Sequence, residues 1–184
     1  MANQVLFIQG GGSEGAYDED ARLVASLRDT LGADYVVRYP RMPNEADPDY
    51  EAWKSAIAGE LAAMGSGAVL VGHSIGASVA IRAVVDGSVG SSLAGLFLLS
   101  APFWHDHEFW RWDEVKLPGN AAERIPDGLP VFLYHGRQDE FVPFSHVEMY
   151  ARALPQATVR GLDGHNHQLN DDLTEVARDI MLLR

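Results

Sequence analysis

The sequence predicts an α/β fold built on a mostly parallel sheet with helices on both faces. Two observations carry this. Apolar runs of strand length recur along the chain, and several are nearly continuous instead of alternating, as strands buried on both faces must be. Stretches with apolar residues at helical spacing lie between them, and strand-helix alternation is the pattern of parallel strands joined by crossover helices.

The strand runs, in order, are VLFIQ (5–9), YVVRY (35–39), AVLVG (68–72), LAGLFLLS (93–100), VFLYHG (131–136) and ATVRGL (157–162). The first helix is expected over 18–31, with Leu23, Leu27 and Leu31 on one face and Gly32 as its stop. The second covers 49–64, where Trp53, Ile57, Leu61 and Met64 share a face. Further helical patterns occupy 75–86, 145–154 and 171–183. Asn170 is the expected N-cap of the last, with Asp171 and Asp172 in its first turn. Residues 101–130 fit neither pattern and read as an excursion between two strands, within one domain spanning 1–184.

A chain of 184 residues can bury a core of its own. Its formal net charge of −12 would repel nucleic acid phosphates and anionic membrane surfaces, so neither is an expected partner. Cysteine is absent, which removes disulfides, thiolate metal sites and a cysteine nucleophile together. The opening residues MANQVLFIQG have no basic region and too short an apolar run for a signal peptide or a membrane span. A cytoplasmic protein is the expectation.

The chemistry begins at VLVGHSIGAS (69–78). A buried strand, then Gly-x-Ser-x-Gly, then a helix is the context of a nucleophile elbow. Such a turn forces the serine into strained backbone angles, and side chains at Gly72 and Gly76 would collide with neighbouring chain. The strain holds the Ser74 hydroxyl out over the sheet, at a helix N-terminus that favours developing negative charge.

A serine alcohol is a weak nucleophile. It needs a base, and the base needs an orienting carboxylate. Asp139 lies just past the strand 131–136, on the same sheet edge as the elbow, with Glu140 as the neighbouring alternative. The loop after the last strand carries two histidines, His165 and His167. His167 lies closer to the following helix and is the better anchored.

Oxyanion donors are expected from Gly10 or Gly11 and from Ile75, the residue after the nucleophile. With strand order 2-1-3-4-5-6 the sheet reverses between its first and third strands, where crevices form. The glycines of QGGGSEG lack the Lys-Ser/Thr of a phosphate loop.

Together these residues resemble the α/β-hydrolase superfamily, in particular its small, nearly lidless serine hydrolases of the retinoblastoma-binding-protein type. The blocks QGGG, YPRMPNEADP, VGHSIGAS, SAPFW, YHGRQDEFVP and NHQLNDDL carry the resemblance over nearly the whole chain. It implies a triad of Ser74, Asp139 and His167, and hydrolysis of small-molecule esters without a cofactor. Gln9 stands where many relatives carry histidine. The first two strands of larger superfamily members are missing. The retinoblastoma-binding motif Leu-x-Cys-x-Glu cannot exist without cysteine, so that partnership does not carry over.

Four other readings bear on function. The pairs His105/His107 and His165/His167 lack an obvious third ligand, so no metal is expected. Phe103, Trp104, Phe109, Trp110 and Trp112 crowd one connection and are expected to form a partial lid, with Phe103 and Trp104 on an acyl pocket. Carboxylesterase, thioesterase, lactonase and amidase share this machinery and differ in pocket shape. A non-catalytic binding module on the same fold is the alternative function.

Overall fold

The computed structural model describes residues 3–90, 92–105 and 107–183. Asp106, in the aromatic excursion, lies outside them. Strands β1 (Asn3–Ile8), β2 (Tyr35–Arg38), β3 (Ala68–His73), β4 (Leu93–Leu99), β5 (Val131–Gly136) and β6 (Thr158–Leu162) form one sheet in the order β2-β1-β3-β4-β5-β6. Every neighbouring pair is parallel. Burial explains the continuous apolar runs. β3 is buried at every position, and so is β1 from Val5 to Ile8. The edge strands β2 and β6 are only partly buried and carry polar residues, Arg38, Thr158 and Arg160, at half-buried positions.

Helices α1 (Ala16–Leu31) and α6 (Thr174–Met181) cover one face, burying Leu23, Leu27, Val176 and Ile180 against Phe7 and Phe97. Helices α2 (Tyr50–Met64), α3 (Ile75–Val85) and α5 (Ser145–Ala153) cover the other, where Trp53, Ile57 and Val147 meet Ile8 and Leu70. Each fully buried large apolar side chain contributes roughly 2 kcal/mol of transfer free energy. Asp49 caps α2 by accepting the Ala52 N–H at 2.8 Å, and Gly32 ends α1 with φ 69°.

The last helix departs from expectation. Leu169, Asn170 and Asp171 all have positive φ, so no α-helix can run through them. Asn170 is not an N-cap. Its side chain instead ties the preceding loop, donating to the Gly164 carbonyl at 2.9 Å and accepting the Asn166 N–H at 3.2 Å. α6 starts at Thr174, whose N–H donates to Asp172 Oδ1 at 2.9 Å.

Among its described residues, the connection between β4 and β5 is irregular apart from one helical turn, α4 (Ala121–Arg124), and it is anchored to the core by Val115, Ala121 and Ile125. Its start is pinned by His146 of α5, whose Nδ1 accepts the Phe103 N–H at 2.9 Å. That bond requires a bare Nδ1. Burial, followed by the neighbouring charges of His105 and His135, pushes the His146 pKa down from 6.5 to about 4. The unfolded chain therefore takes up this proton first on acidification. Stability is expected to fall as pH drops from about 6.5 to about 4. Denaturation midpoints of wild type and His146→Asn across that window check this; parallel curves for the two proteins would count against it.

Because the strands are parallel, their carboxyl ends share one edge. The loops that follow β1, β3, β5 and β6 bring Gly10, Ser74, Asp139 and His167 to it. Among the described residues, no helix is long and apolar enough to cross a membrane.

Candidate active site

Ser74 follows β3 with φ 51° and ψ −122°, outside the regions that L-residues ordinarily occupy. Such a conformation costs on the order of 1–3 kcal/mol and persists only where the surroundings over-determine it. Here they do. The Ser74 N–H donates to the Leu99 carbonyl at 2.8 Å, and its carbonyl accepts Ala77 and Ser78 N–H groups at the start of α3. A Cβ on Gly72 would sit 2.7 Å from the Ala77 backbone, and one on Gly76 would overlap the Gln9 carbonyl. Both glycines are therefore steric requirements of the turn.

His167 Nε2 lies 3.1 Å from Ser74 Oγ, and its Nδ1 lies 2.8 Å from Asp139 Oδ2. A carboxylate can only accept, so the ring hydrogen sits on Nδ1 and Nε2 faces the serine bare. Asp139 Oδ1 accepts the N–H groups of Phe141 and Val142 at 2.9 and 2.7 Å. His135 of β5 adds a contact to Oδ2 at 3.2 Å. Burial on its own would raise the Asp139 pKa. Hydrogen bonds from His135 and His167, the charge on His167 and the Val142 N–H outweigh it and hold the carboxyl below the ordinary carboxylate range.

The two alternatives occupy other positions. His165 Nδ1 faces its own loop, 2.9 Å from the Asp163 carbonyl. Glu140 accepts the backbone N–H of His167 at 3.1 Å and so braces the loop without meeting the ring.

On the opposite wall, Gln9 pins the glycine loop. Its side chain accepts the Met42 N–H at 2.9 Å and donates to Glu45 at 2.6 Å. Gly11 is packed so closely that a Cβ would meet Pro48 at 2.9 Å and Trp53 at 3.0 Å. Gly10 does not present its N–H to the crevice, because that group donates to Asp20 Oδ2 at 2.7 Å. This leaves Gly11 and Ile75. Among the described residues the Gly11 N–H has no partner. Ile75 is the first residue of α3, where an N–H has no partner within the helix.

The crevice between these walls encloses about 250 Å³. Ile75, Trp104, Trp110, Phe141 and Val142 give it an apolar lining. Trp104 meets Trp110 and Trp112 edge-on, with ring centroids 6.0 and 5.5 Å apart. Phe103 is not part of this lining; its ring packs edge-on against Tyr150 at 4.9 Å. Sequence reasoning placed Trp110 in the lid with Trp104 but put Phe103 on the pocket by adjacency, and it missed Phe141, which approaches from the loop after β5. It also missed Asp20 and His73, which line the crevice from behind. A signal for Asp20 existed: it lies on the same helical face as Leu23, Val24 and Leu27, where an acid is out of place. Among the described residues, no group of three or more histidine, aspartate and glutamate side chains is placed to hold a metal ion.

Residues 20–172 match the sequence profile described as "Serine hydrolase". The chain belongs to the serine hydrolase family. Solved α/β-hydrolases share its architecture. Est1E from Butyrivibrio proteoclasticus superposes with a TM-score of 0.71 at 18% identity, covering 98% of this chain and 87% of Est1E. SOBER1 of Arabidopsis thaliana, as its L63A variant, gives 0.71 at 17% identity and covers 98% of both chains. The monoacylglycerol lipase of Paleococcus ferrophilus gives 0.71 at 16% identity, over 96% of this serine hydrolase and 91% of the lipase. No curated protein matches the sequence.

Proposed function

We propose that this serine hydrolase cleaves small carboxylic esters through Ser74, His167 and Asp139, by way of an acyl-enzyme. The observation that carries the reading is the pair of contacts at His167, 3.1 Å to Ser74 Oγ and 2.8 Å to Asp139. Ser74 Oγ bonds to the ester carbonyl carbon while its proton passes to His167 Nε2. The carbonyl π pair moves onto oxygen, facing the N–H groups of Gly11 and Ile75. Collapse breaks the bond to the leaving alcohol, which takes the proton from His167. Water repeats the sequence to release the acid and restore Ser74. Asp139 stays a carboxylate and stabilises the imidazolium. A cavity of about 250 Å³ supports small acyl groups, and its apolar lining supports apolar ones.

A fluorophosphonate probe tests the reading. It is expected to label wild type at one site and to leave Ser74→Ala unlabelled. A wild type that resists the probe would favour a binding module on the same fold. A series of p-nitrophenyl esters then tests the wall: Trp104→Ala is expected to shift the preferred chain length upward while the melting temperature moves little. Equal losses on all esters with a clear drop in melting temperature would return Trp104 to a packing role.

A further inference from the structure

Behind the crevice lies a second, fully buried polar group that the acyl-transfer steps do not use. His73 immediately precedes Ser74, and its side chain is as buried as that of its partner Asp20, each 2% exposed. His73 Nδ1 lies 2.9 Å from Asp20 Oδ2, and Nε2 lies 3.1 Å from the backbone carbonyl of His167. Both partners are acceptors. A neutral imidazole has one N–H, so it would leave a bare nitrogen lone pair facing an oxygen lone pair in a dry interior. The proton is better held by His73 than by Asp20, because the carboxyl accepts the Gly10 N–H at 2.7 Å on Oδ2 and also bonds the Gln168 side chain, and such bonds favour its ionised form. Two donors on His73 satisfy every contact.

We infer that His73 is an imidazolium paired with an Asp20 carboxylate, and that this pair is a positioning device joining the glycine loop to the base loop. Asp20 holds Gly10, the residue before the Gly11 donor. His73 holds the carbonyl of His167, which also accepts the Ser100 hydroxyl at 2.9 Å. Ser100 itself has φ 48°, so a second strained residue is aimed at the same carbonyl. One ion pair thereby sets the distance between the oxyanion donors and the base. Burial on its own opposes a charged His73, yet the Asp20 carboxylate and the His167 carbonyl outweigh it and raise its pKa, while the Asp20 pKa is lowered. The titratable groups around His73 are Asp20 on α1, Asp139 after β5 and His167 after β6.

The inference rests on the proposed acyl transfer for its kinetic consequence but not for the charge itself, so the experiment has two arms. Imidazole ¹⁵N–¹H spectra of Ser74→Ala, with His73 assigned by its loss in the His73→Gln spectrum, read protonation without any turnover. Two N–H signals for His73 from about pH 6 to about pH 8 are expected, where an unperturbed histidine loses its proton. Asp20→Asn should lose one of them within that range. A single N–H in the Ser74→Ala spectrum would overturn the inference.

The second arm measures single-turnover acylation by p-nitrophenyl acetate, normalised to titrated active sites so that unfolded protein does not count. His73→Gln and Asp20→Asn are expected to slow acylation about 10-fold or more, with substrate binding within about twofold, because geometry is lost and the pocket wall is not. Acylation at the wild-type rate per active site, or a loss confined to binding, would overturn it. Should wild type fail to acylate, the ester-hydrolase reading fails, and the spectra still decide the charge.

Discussion

His167→Ala is expected to lower kcat for a p-nitrophenyl ester by roughly 10⁴-fold, close to the loss from Ser74→Ala. In the proposed mechanism the two residues act as a unit, since among the described residues Nε2 of His167 is the base bonded to the hydroxyl, 3.1 Å from Ser74 Oγ. His165→Ala should keep at least about a tenth of the activity, because the backbone carbonyl of His165, not its ring, does the structural work there. That carbonyl accepts the Gln138 N–H at 3.0 Å and lies against Gly136, holding the Asp139 loop to the His167 loop. An alanine retains it. The opposite ranking of the two variants would move the base to His165 and leave the elbow and the carboxylate in place.

Gly76→Ala is expected to destabilise the protein by about 3 kcal/mol, at the upper end of overpacking effects. The added methyl would overlap the Gln9 carbonyl and sit 2.8 Å from that of Ile8. Both are backbone atoms of the central strand region, with no flexible end that can swing away. Relief requires α3 to move off β1, which also displaces Ser74 from His167. Activity should therefore fall with stability. Gly59→Ala supplies the contrast. Gly59 is an exposed interior residue of α2, and nothing lies within 4 Å of an added Cβ. There the substitution should stabilise by about 0.5–1 kcal/mol, since alanine loses less backbone entropy on entering a helix. Chemical denaturation of the two variants gives both numbers. A Gly76→Ala protein as stable as wild type would mean that the elbow does not depend on the close approach of α3 to β1.

The sequence by itself determined whatever depends on neighbours along the chain. Continuous apolar runs such as Val69–Val71 have to be buried on both faces, which makes the sheet parallel and brings every strand's carboxyl end to one edge. Gly72 and Gly76 flanking Ser74 mark a turn that tolerates no side chain at those two positions. A carboxylate after β5 and a histidine after β6 then fall on the same edge as the serine for topological reasons.

Tertiary structure decided what depends on residues far apart in sequence. Whether the Gly10 N–H is free turns on Asp20 of α1, and the charge of His73 turns on a carbonyl 94 residues away. Which histidine ring lies beside Ser74 depends on the path of the loop after β6, and the left-handed residues 169–171 at its end stand where a helix cap at Asn170 was expected. The pocket wall draws on Ile75, Trp110 and Phe141 from three separate connections. Hydrogen bonds and side-chain contacts act over a few ångströms in space. Periodicity and motif spacing register the local ones and miss those made only when the sheet has closed distances along the chain.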